Sequence, residues 1–168
     1  SDGVKPLMPS QYFSRLGQNI ITAITALTPE GRLFEVDTRL RPSGSQGPLV
    51  VTLKTFQDYY TQSAWTWEHM ALTRARIILA PDGMREALQT SVERVLTQKR
   101  DPEALLLAVD EMRRKLFEQF GSRNKWAIKH HQGGLVDIEF ICQYLMLKDG
   151  DSHPEVFEAE LSKAIVKL

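Results

Sequence analysis

RLFEVDTRLR, residues 32–41, decides the fold class of the first part of this chain. Phe34, Val36, Thr38 and Leu40 alternate with Glu35, Asp37, Arg39 and Arg41, the period of two expected of a half-buried β-strand. PSGSQGP, residues 42–48, is turn chemistry, and Leu49–Thr52 is short and β-branched, so the pattern predicts a hairpin with a long loop. The same alternation sets Asp37, Arg39 and Arg41 on one strand face. A core face requires all of them to be neutralised, and a solvated face has no need of such order. A third arrangement uses them together: the face floors a cleft in which a carboxylate holds a divalent cation and arginines hold phosphate oxygens. That is the chemistry of nucleotidyl transfer.

Outward from this stretch the chain reads as helices. Upstream, Pro9-Ser10 opens a run in which Phe13, Leu16, Ile20, Ile21, Ile24 and Leu27 recur at helical spacing, until Thr28-Pro29-Glu30-Gly31 stops it. Downstream, helical patterns cover about residues 55–60, 64–79, 83–98, 102–120, 134–147 and 155 to the end. The expected fold class is therefore α+β and predominantly α. Residues 1–53 form a helix plus hairpin, and residues 54–168 form a helical bundle.

Several ionisable residues fall where apolar ones belong. On helical wheels, Glu68 and Arg74 lie within the apolar arc of residues 64–79, and Arg113 lies within the stripe of residues 104–120. Residues 134–147 are apolar nearly all round except for Asp137, Glu139 and Gln143, which predicts the central helix of the bundle. Buried charges persist only when paired, so Glu68, Asp137 and Glu139 are expected to meet Arg74, Arg113 or the strand arginines. Such a network serves an active-site wall or the architecture alone. Asp137 and Glu139 also sit in a first helical turn, where the macrodipole favours acids. His130, His131 and His153 lack zinc-ligand spacing, and Pro42–Pro48 lacks the lysine of a phosphate-binding loop.

Bulk properties narrow the class of function. A chain of 168 residues can bury roughly two-thirds of its unfolded surface. Its 21 basic and 21 acidic residues cancel, which argues against wrapping nucleic acid or lying on an anionic membrane. The single cysteine, Cys142, cannot form an internal disulfide, and with no secretory signal or long apolar span the cytoplasm is the expected location. Ser1-Asp2-Gly3 has no initiator Met, and the expectation is a piece of a longer chain.

Four motifs together resemble a known family. FEVDTRLRPSGSQGPLV (34–50), AWTWEHMALTRAR (64–76), MRRKL (112–116) and KHHQGGLVDIEFICQYL (129–145) are similar, in order and spacing, to the bifunctional adenylyltransferase/adenylyl-removing enzymes that regulate bacterial glutamine synthetase. The wording is closer to the adenylylating unit than to the deadenylylating one. The resemblance implies a polymerase-β-type nucleotidyltransferase fold, of which residues 1–53 would be the C-terminal part, followed by a helical bundle. It further implies ATP and Mg²⁺ as substrate and cofactor, a tyrosine hydroxyl of glutamine synthetase as acceptor, pyrophosphate as product, and control by the PII signalling protein and glutamine. Asp37 then resembles the third carboxylate of the family's metal site and would favour the deprotonated tyrosine oxygen. Arg39 and Arg41 would orient phosphates or pair with Glu68. Arg74, Arg76 and Arg113 are further candidates for the same work, and Lys129, just before the double glycine, could reach the nucleotide.

One part of the family pattern is missing. A Gly-Ser followed by an Asp-x-Asp pair on an earlier strand is absent from residues 1–31, and one Asp cannot hold two metal ions. The chain alone is therefore expected to be inactive, and the edge of its 32–41 strand, lacking a neighbour, is expected to self-associate or to be partly disordered. Two rival readings remain: a non-catalytic helical module that docks a regulator, and a piece of a PII uridylyltransferase.

Overall fold

The computed structural model describes residues 7–32, 34–124 and 126–168 and divides the chain into two compact units, Ser1–Tyr59 and Tyr60–Leu168. The described residues are predominantly α-helical with one small antiparallel sheet, an α+β chain weighted strongly to α. Ser1-Asp2-Gly3 and Leu33 lie outside the described residues.

The first unit begins with α1, Pro9–Ile24, in which Pro9 occupies an early helical position where its missing N–H costs nothing. The helix ends at Ile24, earlier than its apolar pattern, because Leu27 is taken into a strand. That strand, β1 (Leu27–Thr28), pairs antiparallel with β2 (Gly31–Arg32) in the register Leu27↔Arg32 and Thr28↔Gly31. The sequence that stops the helix is itself the hairpin, and Gly31 supplies a φ of 107° that a side-chain-bearing residue rarely adopts.

Among the described residues, the predicted strand over residues 32–41 is not formed beyond Arg32, and the hairpin predicted with Leu49–Thr52 is absent. A strand needs a neighbour to take its N–H and C=O groups, and among the described residues none lies beside 34–41. Local bonds take those groups instead: the Arg39 N–H donates to Asp37 Oδ1 at 2.9 Å, and the Arg41 N–H to the Arg39 carbonyl at 2.9 Å. Neither alternating set is buried, since Phe34 and Leu40 are as open as the charges between them. The Leu49–Val50 stretch lies against α1 at Gly17, where an added Cβ would stand 3.2 Å from Leu49 and 3.3 Å from Val50.

After α2, Leu53–Gln62, the second unit contains α3 (Thr66–Leu72), α4 (Met84–Leu96), α5 (Pro102–Phe120), α6 (Leu135–Asp149) and α7 (Leu161–Lys167). α5 has the predicted bounds because both ends are signalled locally: Asp101 Oδ1 accepts the Ala104 N–H at 2.8 Å, and Gly121 closes the far end. The helix expected over 64–79 stops at Leu72. Thr73 Oγ1 donates to the Met70 carbonyl at 2.7 Å, and the Arg74 and Ala75 N–H groups bond three residues back, so the last carbonyls are satisfied without another turn. Ile78 and Leu79, apolar residues of that expected helix, are 79% and 88% exposed. The C-terminal helix likewise breaks into a 3₁₀ turn at Pro154–Val156 and α7.

α6 occupies the middle of this unit and packs on α3, α5 and α7. Its Val136, Cys142, Met146 and Leu147 join Met70 and Leu72 of α3, Val95 and Leu96 of α4, and Leu105 and Val109 of α5 among the buried apolar residues. A helix apolar on nearly every side can satisfy all of its faces only at the centre. Burial pushes the Cys142 thiol upward, with Glu139 adding to the shift, so this cysteine is held in its protonated form.

Candidate functional site

In the first unit, Asp37, Arg39 and Arg41 do not share a strand face. Asp37 and Arg39 close on each other: Arg39 Nη2 donates to Asp37 Oδ2 at 2.6 Å, and Nε to both carboxylate oxygens at 3.0 Å. The guanidinium bonds, followed by the Arg39 backbone N–H, hold the Asp37 carboxyl at about 2. Asp37 is therefore a full carboxylate at neutral pH. Both side chains are exposed, water screens their attraction, and the pair can open for a stronger ligand.

Arg41 does different work. Its Nη1 donates to Thr38, both to the carbonyl and to Oγ1, and its Nε and Nη2 reach the Gly47 carbonyl at 3.4 and 3.3 Å. The guanidinium stitches loop 42–47 back onto the preceding segment.

In the second unit two of the inward carboxylates, Asp137 and Glu139, are paired with arginines. Arg113 Nε donates to Asp137 Oδ1, while Asp137 Oδ2 accepts the Gly133 N–H at 2.6 Å. The Arg113 bond is the main reason the Asp137 carboxyl lies below its usual range; partial burial opposes it, and the Gly133 bond assists. The Arg113 guanidinium also lies 5.2 Å from the Phe117 ring centre, over its face. Arg74 Nη1 donates to Glu139 Oε1, which also accepts from Gln143 Nε2 at 3.2 Å, so the end of α3 is tied to α6. Buried Glu68 accepts the Trp65 N–H at 2.9 Å and closes the first turn of its own helix. Arg76 is exposed near Glu160, whose carboxyl is lowered mainly by Lys163 and Ser162 and only slightly by Arg76. Lys129 is exposed, and among the described residues its ammonium has no bonded partner.

The N–H groups at the start of α6 are already satisfied. The Leu135 and Val136 N–H groups donate to the Ile128 and Lys129 carbonyls at 3.0 and 3.2 Å. The Gly133 N–H is taken by Asp137. The double glycine makes this folding-back possible: Gly133 has φ of 79°, and a Cβ on Gly134 would stand 2.2 Å from the Ile128 oxygen.

A magnesium site needs several oxygen ligands in near-octahedral array. The described residues contain no group of three or more His, Cys, Asp or Glu side chains able to hold a metal ion, and Asp37 faces a guanidinium. The residues present do not by themselves fit the ion.

Two residues that sequence reasoning missed organise the interior. Arg100, just beyond α4, donates to the carbonyls of Val95, Leu96 and Gln98 at 2.7–2.8 Å and reaches that of Leu147 in α6 at 3.5 Å. A cation following a helix end was the available signal. His69 lies half-buried with Nε2 2.9 Å from the Tyr60 carbonyl, so that nitrogen carries the proton. Burial pushes the His69 imidazole below its usual range; the Tyr60 bond and Glu68 resist this, and Arg100 reinforces it.

An unfolded imidazole takes up a proton near about pH 6.5, and the folded one only at lower pH. The unfolded state thus binds more protons in that window, and stability falls as pH drops through and below about 6.5. Urea midpoints at about pH 7.5 and 5.5 are expected to show a larger loss for the native chain than for His69→Gln. Equal losses would remove His69 as the cause.

Residues 1–114 match the glutamate-ammonia ligase adenylyltransferase family. The chain is 42% identical over 165 residues to a bifunctional glutamine synthetase adenylyltransferase/adenylyl-removing enzyme of Xanthobacter autotrophicus, an alignment spanning 98% of this chain and 17% of that protein. It is 43% identical over 158 residues to the protein of the same description from Bradyrhizobium sp. (strain ORS 278), spanning 94% of this chain and 16% of the relative. The corresponding protein of Brucella suis biovar 1 is 46% identical over 147 residues, 88% of this chain and 15% of its own length. The chain thus spans 15–17% of the length of these curated relatives.

Proposed function

The chain belongs to the glutamate-ammonia ligase adenylyltransferase family, and on that premise we propose that it is part of an enzyme that transfers AMP from ATP to a tyrosine hydroxyl of glutamine synthetase. The reading is supported above all by identity above 40% across nearly the whole chain to proteins bearing that description. In the reaction the tyrosine oxygen attacks the α-phosphorus, the bond to the β-phosphate oxygen breaks, and pyrophosphate leaves. Residues 1–53 form the last part of the nucleotidyltransferase domain and residues 54–168 the helical domain after it. A cytoplasmic location and control by PII go with this reading.

Asp37 is the acid this chain contributes to the reaction, ionised at neutral pH and accessible to substrate. Arg39 is its displaceable counter-ion and a phosphate ligand once released. Lys129 is an available cation of the helical domain, whereas Glu68, Arg74 and Arg113 hold the fold, Arg41 shapes its loop and Arg76 stays at the surface. The Mg²⁺ that accompanies ATP in such chemistry needs carboxylates beyond the one these residues offer.

The test uses the full-length polypeptide containing this chain, glutamine synthetase, and ATP or UTP labelled at the α-phosphorus. Label from ATP on the synthetase, with matching pyrophosphate release, is the expected result. Label from UTP instead assigns a uridylyltransferase, and no label from either leaves a docking module; each overturns the proposal.

A further inference from the structure

Among the described residues, Ser43 is the one residue other than glycine with a positive φ, 61° at a ψ of 19°. A side chain in that left-handed region brings its Cβ close to a carbonyl oxygen, and glycine, asparagine or aspartate is the usual occupant. Serine in a turn can offset such strain by bonding its hydroxyl back to the chain. Here it does not. The hydroxyl makes no cap for the 3₁₀ turn Gly44–Gln46 that Ser43 precedes, and the exposed side chain has no hydrogen-bond partner among the described residues.

The surrounding bonds keep the strained conformation in place. The Gly44 N–H donates to the Arg41 carbonyl at 2.8 Å, and the Ser43 carbonyl accepts the Gln46 and Gly47 N–H groups at 3.2 Å each. The Arg41 guanidinium spans the loop from Thr38 Oγ1 at 3.0 Å to the Gly47 carbonyl. The loop is thereby seated on the segment that carries the acid: Thr38 follows Asp37 directly, and a Cβ on Gly44 would lie 3.9 Å from the Arg39 carbonyl oxygen. Strain that neighbours maintain, and from which the side chain gains no bond within the chain, is the pattern of a group held for a ligand.

We propose that Ser43 is a substrate-binding residue for AMP transfer, its hydroxyl donating to a phosphate oxygen of ATP beside Arg39. The inference rests on the reading that this chain is part of an adenylyltransferase. The neutral hydroxyl adds direction to the charge that Arg39 supplies once it leaves Asp37, since a hydrogen bond to an anionic oxygen is short and oriented.

The experiment uses the full-length polypeptide and measures AMP transfer to glutamine synthetase at varied ATP, with thermal unfolding of the same preparations. Ser43→Gly removes the hydroxyl and the strain together. Its kcat/KM for ATP is expected to fall about tenfold or more, the effect of losing a hydrogen bond to a charged group. Its Tm is expected to stay unmoved or to rise, because the strain relieved offsets the added freedom of the unfolded chain. Ser45→Gly, at an exposed serine two positions on, loosens the same loop and is expected to transfer as the native protein does. Equal losses in the two variants would assign the effect to loop flexibility and overturn the proposal. A lowered Tm accompanying the loss in Ser43→Gly would make the residue structural and overturn it as well. Native-like kcat/KM in Ser43→Gly would overturn this proposal alone, whereas a native polypeptide that transfers no AMP would overturn the underlying reading and this one with it.

Discussion

In the full-length polypeptide, Asp37→Asn is expected to slow AMP transfer by about a hundredfold or more, the usual range for losing an acid-base group, while leaving the unfolding midpoint unmoved. The two halves of this expectation have separate causes. Asn removes the negative charge but keeps the size, and one amide oxygen can still accept the Arg39 N–H that shapes the local turn. The carboxylate is also exposed and bonded only to its neighbour two residues on, so its loss leaves no cavity and no buried orphan. Rates with saturating ATP, together with thermal unfolding of the same preparations, decide the matter. Loss of folding would make Asp37 a structural residue, and unchanged transfer would take it out of the chemistry.

The largest stability effect is expected at the centre of α6. Leu147 is 1% exposed, and its carbonyl lies within reach of the Arg100 guanidinium that closes α4. Leu147→Ala removes side-chain volume where α6 is enclosed by other helices, and is expected to cost about 2–5 kcal/mol. Against the total of about 5–15 kcal/mol typical of a domain, that is a large share. Urea unfolding should show the midpoint falling with an unchanged slope. A cost below about 1 kcal/mol would mean that α6 is not the packing centre, since truncating a well-enclosed leucine does not come so cheaply.

These two residues also mark what was legible in advance. Leu147 belongs to a run whose apolar character on nearly every side already predicted a central helix. The ends of α5 could likewise be read from Asp101-Pro102 and Gly121, because caps act within a turn of the residues that supply them. The family was legible from four motifs in order, and the match of residues 1–114 agrees with it. Arg100 escaped notice because a basic residue after a helix is common, and only folding shows how many carbonyls converge on it.

Where reading along the chain failed, the deciding partner lay elsewhere or was absent. Alternation in residues 34–40 states a preference for extended backbone, but a strand exists only when a second segment takes its hydrogen bonds. Among the described residues none lies beside it, and Asp37 turned to Arg39. The wheel over residues 64–79 was sound as geometry; yet α3 stopped at Leu72 because its carbonyls were satisfied by Thr73 and its neighbours, while Arg74 was drawn to Glu139, 65 positions along the chain.

By itself, then, the sequence determined the helices with local caps, the interior place of α6 and the presence of charges that had to be matched. Tertiary structure alone decided which guanidinium met which carboxylate, Arg74 with Glu139 and Arg113 with Asp137. Periodicity and capping act over a few residues and are written in order along the chain, whereas pairing depends on distances that exist only after it has folded.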